Sequence, residues 1–171
     1  MNFKMIVGLC LMLIAGPTAA NAALVPCKDI PSVQESASII ANAGMGGHVG
    51  KHVLDVGTPG NNPTGGTTYY DSISQYNAVV KAWLEKSELY CDTNAPLNTV
   101  DEEFAEEKVI SDESLWYGVP CSTGYVLNVD GRRFCSVGGL PYKPRDFAFV
   151  VKRVNHAGAD KWILLTTFPR Q

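Results

Sequence analysis

The chain is 171 residues long, the usual length of one domain, and its 14 Lys and Arg and 17 Asp and Glu give a formal net charge of -3. This charge excludes a protein that binds polyanions through a general positive charge. With 46% hydrophobic and 18% charged residues, the composition also excludes a disordered or low-complexity chain.

The first 22 residues have the pattern of a signal peptide. Lys4 gives a positive start, 5–15 is an apolar run, and Ala-Asn-Ala at 20–22 places small residues at a cleavage site. The run is shorter than the roughly 20 residues that cross a bilayer. We therefore expect cleavage before Ala23, a secreted or periplasmic protein, and no stable membrane association. An uncleaved anchor is the alternative.

Because we expect the chain to be exported, we expect its cysteines to form disulfides. Removing the signal peptide leaves four of them, an even number in an oxidising compartment, which predicts two disulfides. Cys121 and Cys135 flank a predicted hairpin, so of the three possible pairings we favour Cys121–Cys135 with Cys27–Cys91. A metal site is the alternative, but the chain has no CxxC spacing to support it.

Two capping boxes predict helices in the first half of the chain. Ser32 to Glu35 begins a helix over about 32–43, which ends at a group of glycines. Ser72 to Gln75 begins an amphipathic helix over about 72–89. Its apolar residues recur at helical spacing and are expected in the core: Ile73, Tyr76, Val79, Val80, Trp83 and Leu84.

The second half of the chain has the pattern of β-hairpins. Asp130-Gly131 suits a tight turn between strands at 125–129 and 132–137. Strands at 147–154 and 161–168, joined by 155–160, predict a second hairpin. The fold class is therefore α+β, with N-terminal helices followed by a twisted antiparallel sheet of hairpins in a single disulfide-stabilised domain over 23–171.

Charge is divided unevenly along the chain. Residues 101–113 hold seven acids and one lysine, which we interpret as a solvated face or loop without a catalytic carboxylate pair. Residues 132–171 hold eight Lys or Arg and two acids. The basic segment forms either solvated strand faces or a positive surface that holds a phosphate backbone.

The most unusual stretch is Gly-Gly-His-Val-Gly-Lys-His-Val at 46–53. It places the imidazoles of His48 and His52 and the ammonium of Lys51 within five residues. Histidine exchanges protons near neutral pH, lysine offsets charge on a phosphoryl group, and glycine lets the backbone approach a ligand. A zinc site is a second interpretation, but the stretch lacks the glutamate of the HExxH motif and the chain shows no third ligand. A structural pair of histidines near a turn is the third interpretation.

Motifs at the two ends of the chain together resemble a known family. The glycine and histidine stretch at 46–53 is followed by 67–71 and a helix that ends near Trp83, then by a basic hairpin. Phe-Val-Val-Lys-Arg at 149–153 and a closing strand at 163–169 complete the order. This order resembles the RNase A-like toxin domain at the C-termini of bacterial contact-dependent inhibition proteins, over about 44–169.

The resemblance implies an RNase A-like fold and a metal-independent ribonuclease that needs no cofactor. In that chemistry a base takes the proton of a ribose 2′-OH, which attacks phosphorus to give a 2′,3′-cyclic phosphate, while a cation stabilises the phosphoryl charge. RNA would be the substrate and an immunity protein a partner of this antibacterial toxin. The implied roles are His48 as base, Thr166 as a hydroxyl that contacts phosphate or base, and His52 as the second histidine of the motif, catalytic or structural. The family's basic residue after that histidine has no match here, and our hypothesis is that Lys51, Lys152 or Arg153 replaces it. Lys51 is then a candidate catalytic residue, and the candidate phosphate-binding residues are Lys152, Arg153 and Thr167.

A non-catalytic exported binding or inhibitor protein on the same fold is the alternative. It depends on two differences from the family: 53–66 holds no Lys or Arg after His52, and Phe168 stands where a tyrosine is usual. His156 lies in the predicted turn between the last two strands. We interpret it as an exposed turn residue, with the acid of a two-histidine mechanism as the alternative.

Overall fold

The structure is a computed structural model that describes residues 23–53, 67–70, 72–106, 118–121, 126–129, 132–135, 144 and 146–170. The helices are α1 (Pro31–Glu35), α2 (Ile39–Gly44) and α3 (Ile73–Lys86), with 3-10 turns at Cys27–Asp29 and Val49–His52. The strands are β1 (Leu24–Pro26), β2 (Thr67–Tyr70), β3 (Tyr90–Asp92), β4 (Val100–Glu106), β5 (Gly118–Cys121), β6 (Val126–Val129), β7 (Arg132–Cys135), β8 (Asp146–His156) and β9 (Ala159–Arg170). The described residues therefore form a mixed α+β structure, as predicted.

The largest sheet is antiparallel, with strand order β4-β8-β9. The long hairpin of β8 and β9 confirms the second predicted hairpin. Its turn is tighter than expected: Ala157 and Gly158 alone connect the strands, both with positive φ, at 52° and 77°. Such a pair of left-handed residues matches the right-handed twist of the strands. His156 consequently pairs with Ala159 at the end of β8 and is not part of the turn.

The remaining strands form antiparallel pairs, β1 with β3, β2 with β5, and β6 with β7. Val129 pairs with Arg132, so the first predicted hairpin is also confirmed, although its turn residues 130–131 lie outside the described part of the chain. The described strands thus divide among four sheets, where the sequence predicted one.

The helix α3 packs against one face of the β4-β8-β9 sheet. Ser72 caps it as predicted, its Oγ accepting a hydrogen bond from the Gln75 N–H at 3.2 Å. Trp83 stacks on Phe149 with ring centroids 4.7 Å apart. The predicted apolar stripe is buried except at its ends, where Ile73 is 49% exposed and Leu84 is partly buried. We call the sheet face under this helix the core face.

The N-terminal helix predicted over 32–43 is two short helices, α1 and α2, and its capping box is wrong. The Ser32 hydroxyl donates to the Trp162 carbonyl of β9 at 2.6 Å instead of capping. The Ser36 hydroxyl donates to the Val33 carbonyl and accepts the Leu164 N–H at 2.7 Å. β9 is an edge strand, and these serines satisfy its unpaired backbone groups, which accounts for the interruption.

One predicted disulfide, Cys27–Cys91, is present and joins the 3-10 turn after β1 to β3, with Cα atoms 5.1 Å apart. Both cysteines are fully buried. Cys121 and Cys135 fall in β5 and β7, whose side chains lie outside the described part of the structure, so their pairing stays a prediction. The proposed signal peptide at 1–22 also lies outside it. Among the described residues, no helix has the length and apolarity to cross a membrane.

The first residues of the acidic run form the edge strand β4, so of the predicted solvated face or loop the loop is wrong for these residues. Strand alternation turns Glu103 to the core face, where its carboxylate accepts hydrogen bonds from Trp83 Nε1 at 2.6 Å and Ser87 Oγ at 2.5 Å. Its neighbour Glu102 is exposed. Residues 107–113 of the run lie outside the described part of the chain.

Candidate active site

The glycines before His48 end α2. Gly46 has a φ of 91°, and the Gly47 N–H donates to the Asn42 carbonyl at 2.8 Å, which is the closing hydrogen bond of a Schellman motif. A Cβ atom at Gly47 would lie 2.3 Å from the side-chain oxygen of Asn42. Gly46 and Gly47 are therefore required by the turn itself.

A β-bulge in the last strand receives His48. Val150 pairs with Thr166 and Val151 pairs with Leu164, so Leu165 is the extra residue of β9. The His48 N–H donates to the Leu165 carbonyl at 2.8 Å. This bond ties the loop after α2 to the edge of the sheet, immediately before Thr166 in the chain.

Thr166 carries a buried hydroxyl without a hydrogen-bond partner in the described part of the structure. The residue is 6% exposed and pairs with Val150 on the sheet face opposite α3. Most buried polar groups in proteins are hydrogen-bonded, so such a hydroxyl needs an explanation. Contact with a bound ligand is one that its position beside His48 allows.

The imidazole of His48 is half-buried, and this burial lowers its pKa, with a further lowering from the positive charge of Lys51. The Lys51 N–H donates to the His48 carbonyl at 3.0 Å in the 3-10 turn, which keeps the two residues together. A lowered pKa leaves the imidazole neutral at neutral pH. In that form it accepts a proton, as a general base must.

His52 is held more tightly than His48. Its Nδ1 lies 3.0 Å from the Thr68 carbonyl, to which it donates, and its ring centroid lies 5.0 Å from that of Phe168. Burial lowers its pKa to about 4, and the positive charges of His48 and Lys51 act in the same direction, against the Thr68 hydrogen bond. The ring centroids of the two histidines are 6.3 Å apart. His52 is therefore neutral at neutral pH, with its Nδ1 engaged by the Thr68 carbonyl.

The three predicted phosphate-binding residues do not share one face of the sheet. Lys152 follows Val150 by two residues on β8 and shares the sheet face of Thr166. Arg153 is on the core face, where its guanidinium donates to the Ala95 carbonyl and lies 3.9 Å from Asp160. Thr167 is fully buried, with its hydroxyl 2.7 Å from that of Tyr70. Only Lys152 of the three therefore joins the candidate site.

His156 lies far from this group. It follows Val150 by six residues on β8, about 20 Å along an extended strand. Its distance removes it from any shared proton transfer with His48. No cluster of three or more His, Cys, Asp or Glu within the described residues is arranged to hold a metal ion.

Comparison with protein-family models, with curated proteins and with solved structures finds no match. The function is therefore inferred from the chemistry of the site. His48 is bonded to β9 at the residue before Thr166, Lys51 lies near enough to His48 to lower its pKa, and Lys152 shares the sheet face of Thr166. Such a set accepts a proton at one point and stabilises negative charge nearby.

Sequence reasoning missed two residues that build this site, Asn42 and Ser36. Both are fully buried polar side chains that bond to β9. Their spacing from the glycine stretch carries no recognisable motif. The bulge at Leu165 has no signal either, because the whole segment from 162 to 168 favours a strand.

Proposed function

We propose that the protein is an exported, metal-independent ribonuclease with an RNase A-like fold over about 44–169, acting as an antibacterial toxin. The observation that carries the proposal is the hydrogen bond from the His48 N–H to the Leu165 carbonyl. It ties His48, whose pKa is lowered, to the residue that directly precedes Thr166, and the Thr166 hydroxyl has no partner among the described residues. The α+β order and the antiparallel hairpins agree with the proposed fold.

In the proposed reaction, His48 removes the proton of a ribose 2′-OH. The resulting oxygen attacks the adjacent phosphorus, the bond to the 5′-oxygen breaks, and a 2′,3′-cyclic phosphate forms. Thr166 donates a hydrogen bond to a phosphoryl oxygen, and the ammonium of Lys51 offsets the charge that develops there. Lys152, on the same face as Thr166, contacts a neighbouring phosphate. The leaving 5′-oxygen takes its proton from solvent.

The disulfide supports the exported part of the proposal. Cys27 and Cys91 are bonded and fully buried, and structural disulfides of this kind persist in oxidising compartments. The signal-peptide pattern at 1–22 points to the same compartment. Sequencing the N-terminus of the protein recovered from the medium or periplasm tests this, and the expected first residue is Ala23.

Two RNA substrates test the chemistry. The disulfide-intact protein in EDTA should cut a single-stranded RNA and leave 2′,3′-cyclic phosphate ends, because the ribose itself supplies the nucleophile. The same sequence with 2′-deoxy sugars should stay intact, since it lacks that nucleophile. An RNA left uncut, under conditions in which a control nuclease cuts it, contradicts the proposal. Cleavage of the deoxy substrate contradicts the mechanism.

A non-catalytic RNA-binding or inhibitor protein is the second candidate. The observation in its favour is the pair His52 and Phe168: the histidine is committed to the Thr68 carbonyl, and the phenyl ring beside it has no hydroxyl. Among the described residues near Thr166, His48 is then the one histidine that remains for proton transfer. The second candidate predicts retention of RNA without cleavage, which a filter-binding assay beside the cleavage assay distinguishes.

A further inference from the structure

Asn42 is a fully buried amide near the end of α2 that joins three parts of the protein. Its Nδ2 donates to the Ser36 carbonyl at 3.0 Å and to the Leu164 carbonyl of β9 at 2.5 Å. Its Oδ1 accepts the Val49 N–H at 3.0 Å. The helix pair, the edge strand and the loop of the candidate site therefore share one side chain.

The loop is held against Asn42 from two directions. The Asn42 carbonyl accepts the Gly47 N–H at 2.8 Å, while the side chain accepts the Val49 N–H. The close approach of Gly47 to the amide leaves no room for a Cβ atom. His48 is the residue between these two contacts.

The bulge in β9 turns two neighbouring carbonyls toward Asn42 and His48. In a regular strand the carbonyls of consecutive residues point to opposite edges. At the bulge, the Leu164 carbonyl accepts from Asn42 and the next carbonyl, of Leu165, accepts from His48. Two successive carbonyls of β9 thus face the same side: the first accepts from the Asn42 side chain and the second from the His48 backbone.

We propose that Asn42 is a positioning residue, which fixes His48 against the bulge at Leu165, the residue before Thr166 in the chain. Its effect on catalysis rests on the proposed ribonuclease function, whereas its effect on His48 does not. Without the amide, the Val49 N–H loses its acceptor and α2 loses its bond to the Leu164 carbonyl, although the Gly47 N–H keeps its backbone acceptor. His48 then moves relative to the strand, and a displacement of about 1 Å lowers turnover by about 100-fold.

A histidine titration separates positioning from simple stabilisation. The pKa of His48, followed by NMR, should rise toward its ordinary value in Asn42→Ala, because the ring loses part of its burial. The kcat for RNA cleavage should fall by about 100-fold with KM little changed. The matched control is Asn155→Ala, which removes an exposed amide that bonds to Asp160 at the hairpin end, and both quantities should stay as in the wild type.

Gly47→Ala tests the same contact from the other side. Its methyl group meets the Asn42 amide, so it should displace the loop and change the pKa of His48 in the same direction. In the double variant Asn42→Ala/Gly47→Ala the obstacle is gone, and the second substitution should add little to the first. Full additivity of the two effects contradicts a shared contact.

Amide hydrogen exchange of the unmodified protein provides a measurement that does not depend on a variant folding. The His48 and Val49 amides should be protected well beyond an exposed loop, because both are hydrogen-bonded. Exchange at the rate of an unprotected loop overturns the proposal. So does a folded Asn42→Ala protein with the wild-type pKa at His48. If the wild type cuts no RNA, the ribonuclease function fails, while these two measurements still decide the role of Asn42.

Discussion

The backbone N–H of His48 donates to the carbonyl of Leu165, 2.8 Å away, at the one point where β8 and β9 lose their regular register. Residues 117 positions apart in the chain are thereby joined at a bulge. The same irregularity directs Thr166 to the outer face and Thr167 to the core. The geometry of the candidate site therefore depends on the extra residue in β9 as much as on the histidine stretch.

The two neighbouring threonines should respond differently to replacement by valine. Thr166→Val removes a hydroxyl without a described partner, so the free energy of unfolding should stay the same or rise by up to about 1 kcal/mol, while RNA cleavage falls by about 100-fold. Thr167→Val removes the buried hydrogen bond between the Thr167 and Tyr70 hydroxyls and should cost about 1–3 kcal/mol. Urea unfolding and cleavage rates measure both. Equal destabilisation by the two substitutions contradicts these roles.

Acid should destabilise the protein through His52. Its pKa is lowered to about 4 in the folded state, so the unfolded chain takes up the proton first as pH falls. Stability is therefore full above about pH 6.5, falls between about 6.5 and 4, and levels below that, with about 3 kcal/mol lost. Urea unfolding at a series of pH values measures this. His52→Gln should weaken the dependence and the control His156→Gln should keep it; an unchanged curve in His52→Gln contradicts the assignment.

The disulfide should contribute strongly to stability. Cys27 and Cys91 are 64 positions apart, and a crosslink over such a loop restricts the unfolded chain by about 4 kcal/mol in the chain-entropy model. We expect Cys27→Ala/Cys91→Ala to lower the free energy of unfolding by about 2–5 kcal/mol in denaturant titrations. Dithiothreitol should then have no further effect through this bond. A double variant as stable as the wild type contradicts this contribution.

Adjacent glutamates of β4 should differ in their importance. Glu103→Ala leaves the indole N–H of Trp83 and the hydroxyl of Ser87 without their acceptor, and should cost about 2–3 kcal/mol. Glu102→Ala, on the exposed face, should change stability by less than about 0.5 kcal/mol. Thermal unfolding followed by tryptophan fluorescence compares the two. Equal losses would mean that the strand alternation of β4 is wrong.

Local signals in the sequence predicted the elements whose backbone hydrogen bonds are made within the same helix or hairpin. The helix α3 has its capping serine and apolar period, and the β8–β9 hairpin has two β-rich runs close together. The predicted N-terminal helix was wrong because its serines bond to β9, more than 120 residues away. No local pattern carries that information.

The sequence indicated which residues belong to the candidate site, but not how they are arranged. His48, Lys51 and His52 stand out as a stretch, and the structure keeps them together. Which threonine faces outward depends on the bulge, since a shift of one residue exchanges the faces of a strand. Asn42 could not be singled out, because its partners come from the chain before it, after it and from β9.

The most direct test of the account is the pH dependence of RNA cleavage in EDTA by the wild type and by His48→Gln. The lowered pKa of His48 predicts that the acid limb of kcat/KM in the wild type lies below pH 6.5, the ordinary value for histidine. Removing the base should reduce the rate by about 100- to 10,000-fold and abolish that limb. A His48→Gln protein that cleaves RNA at the wild-type rate, with the same acid limb, contradicts the assignment of His48 as the base.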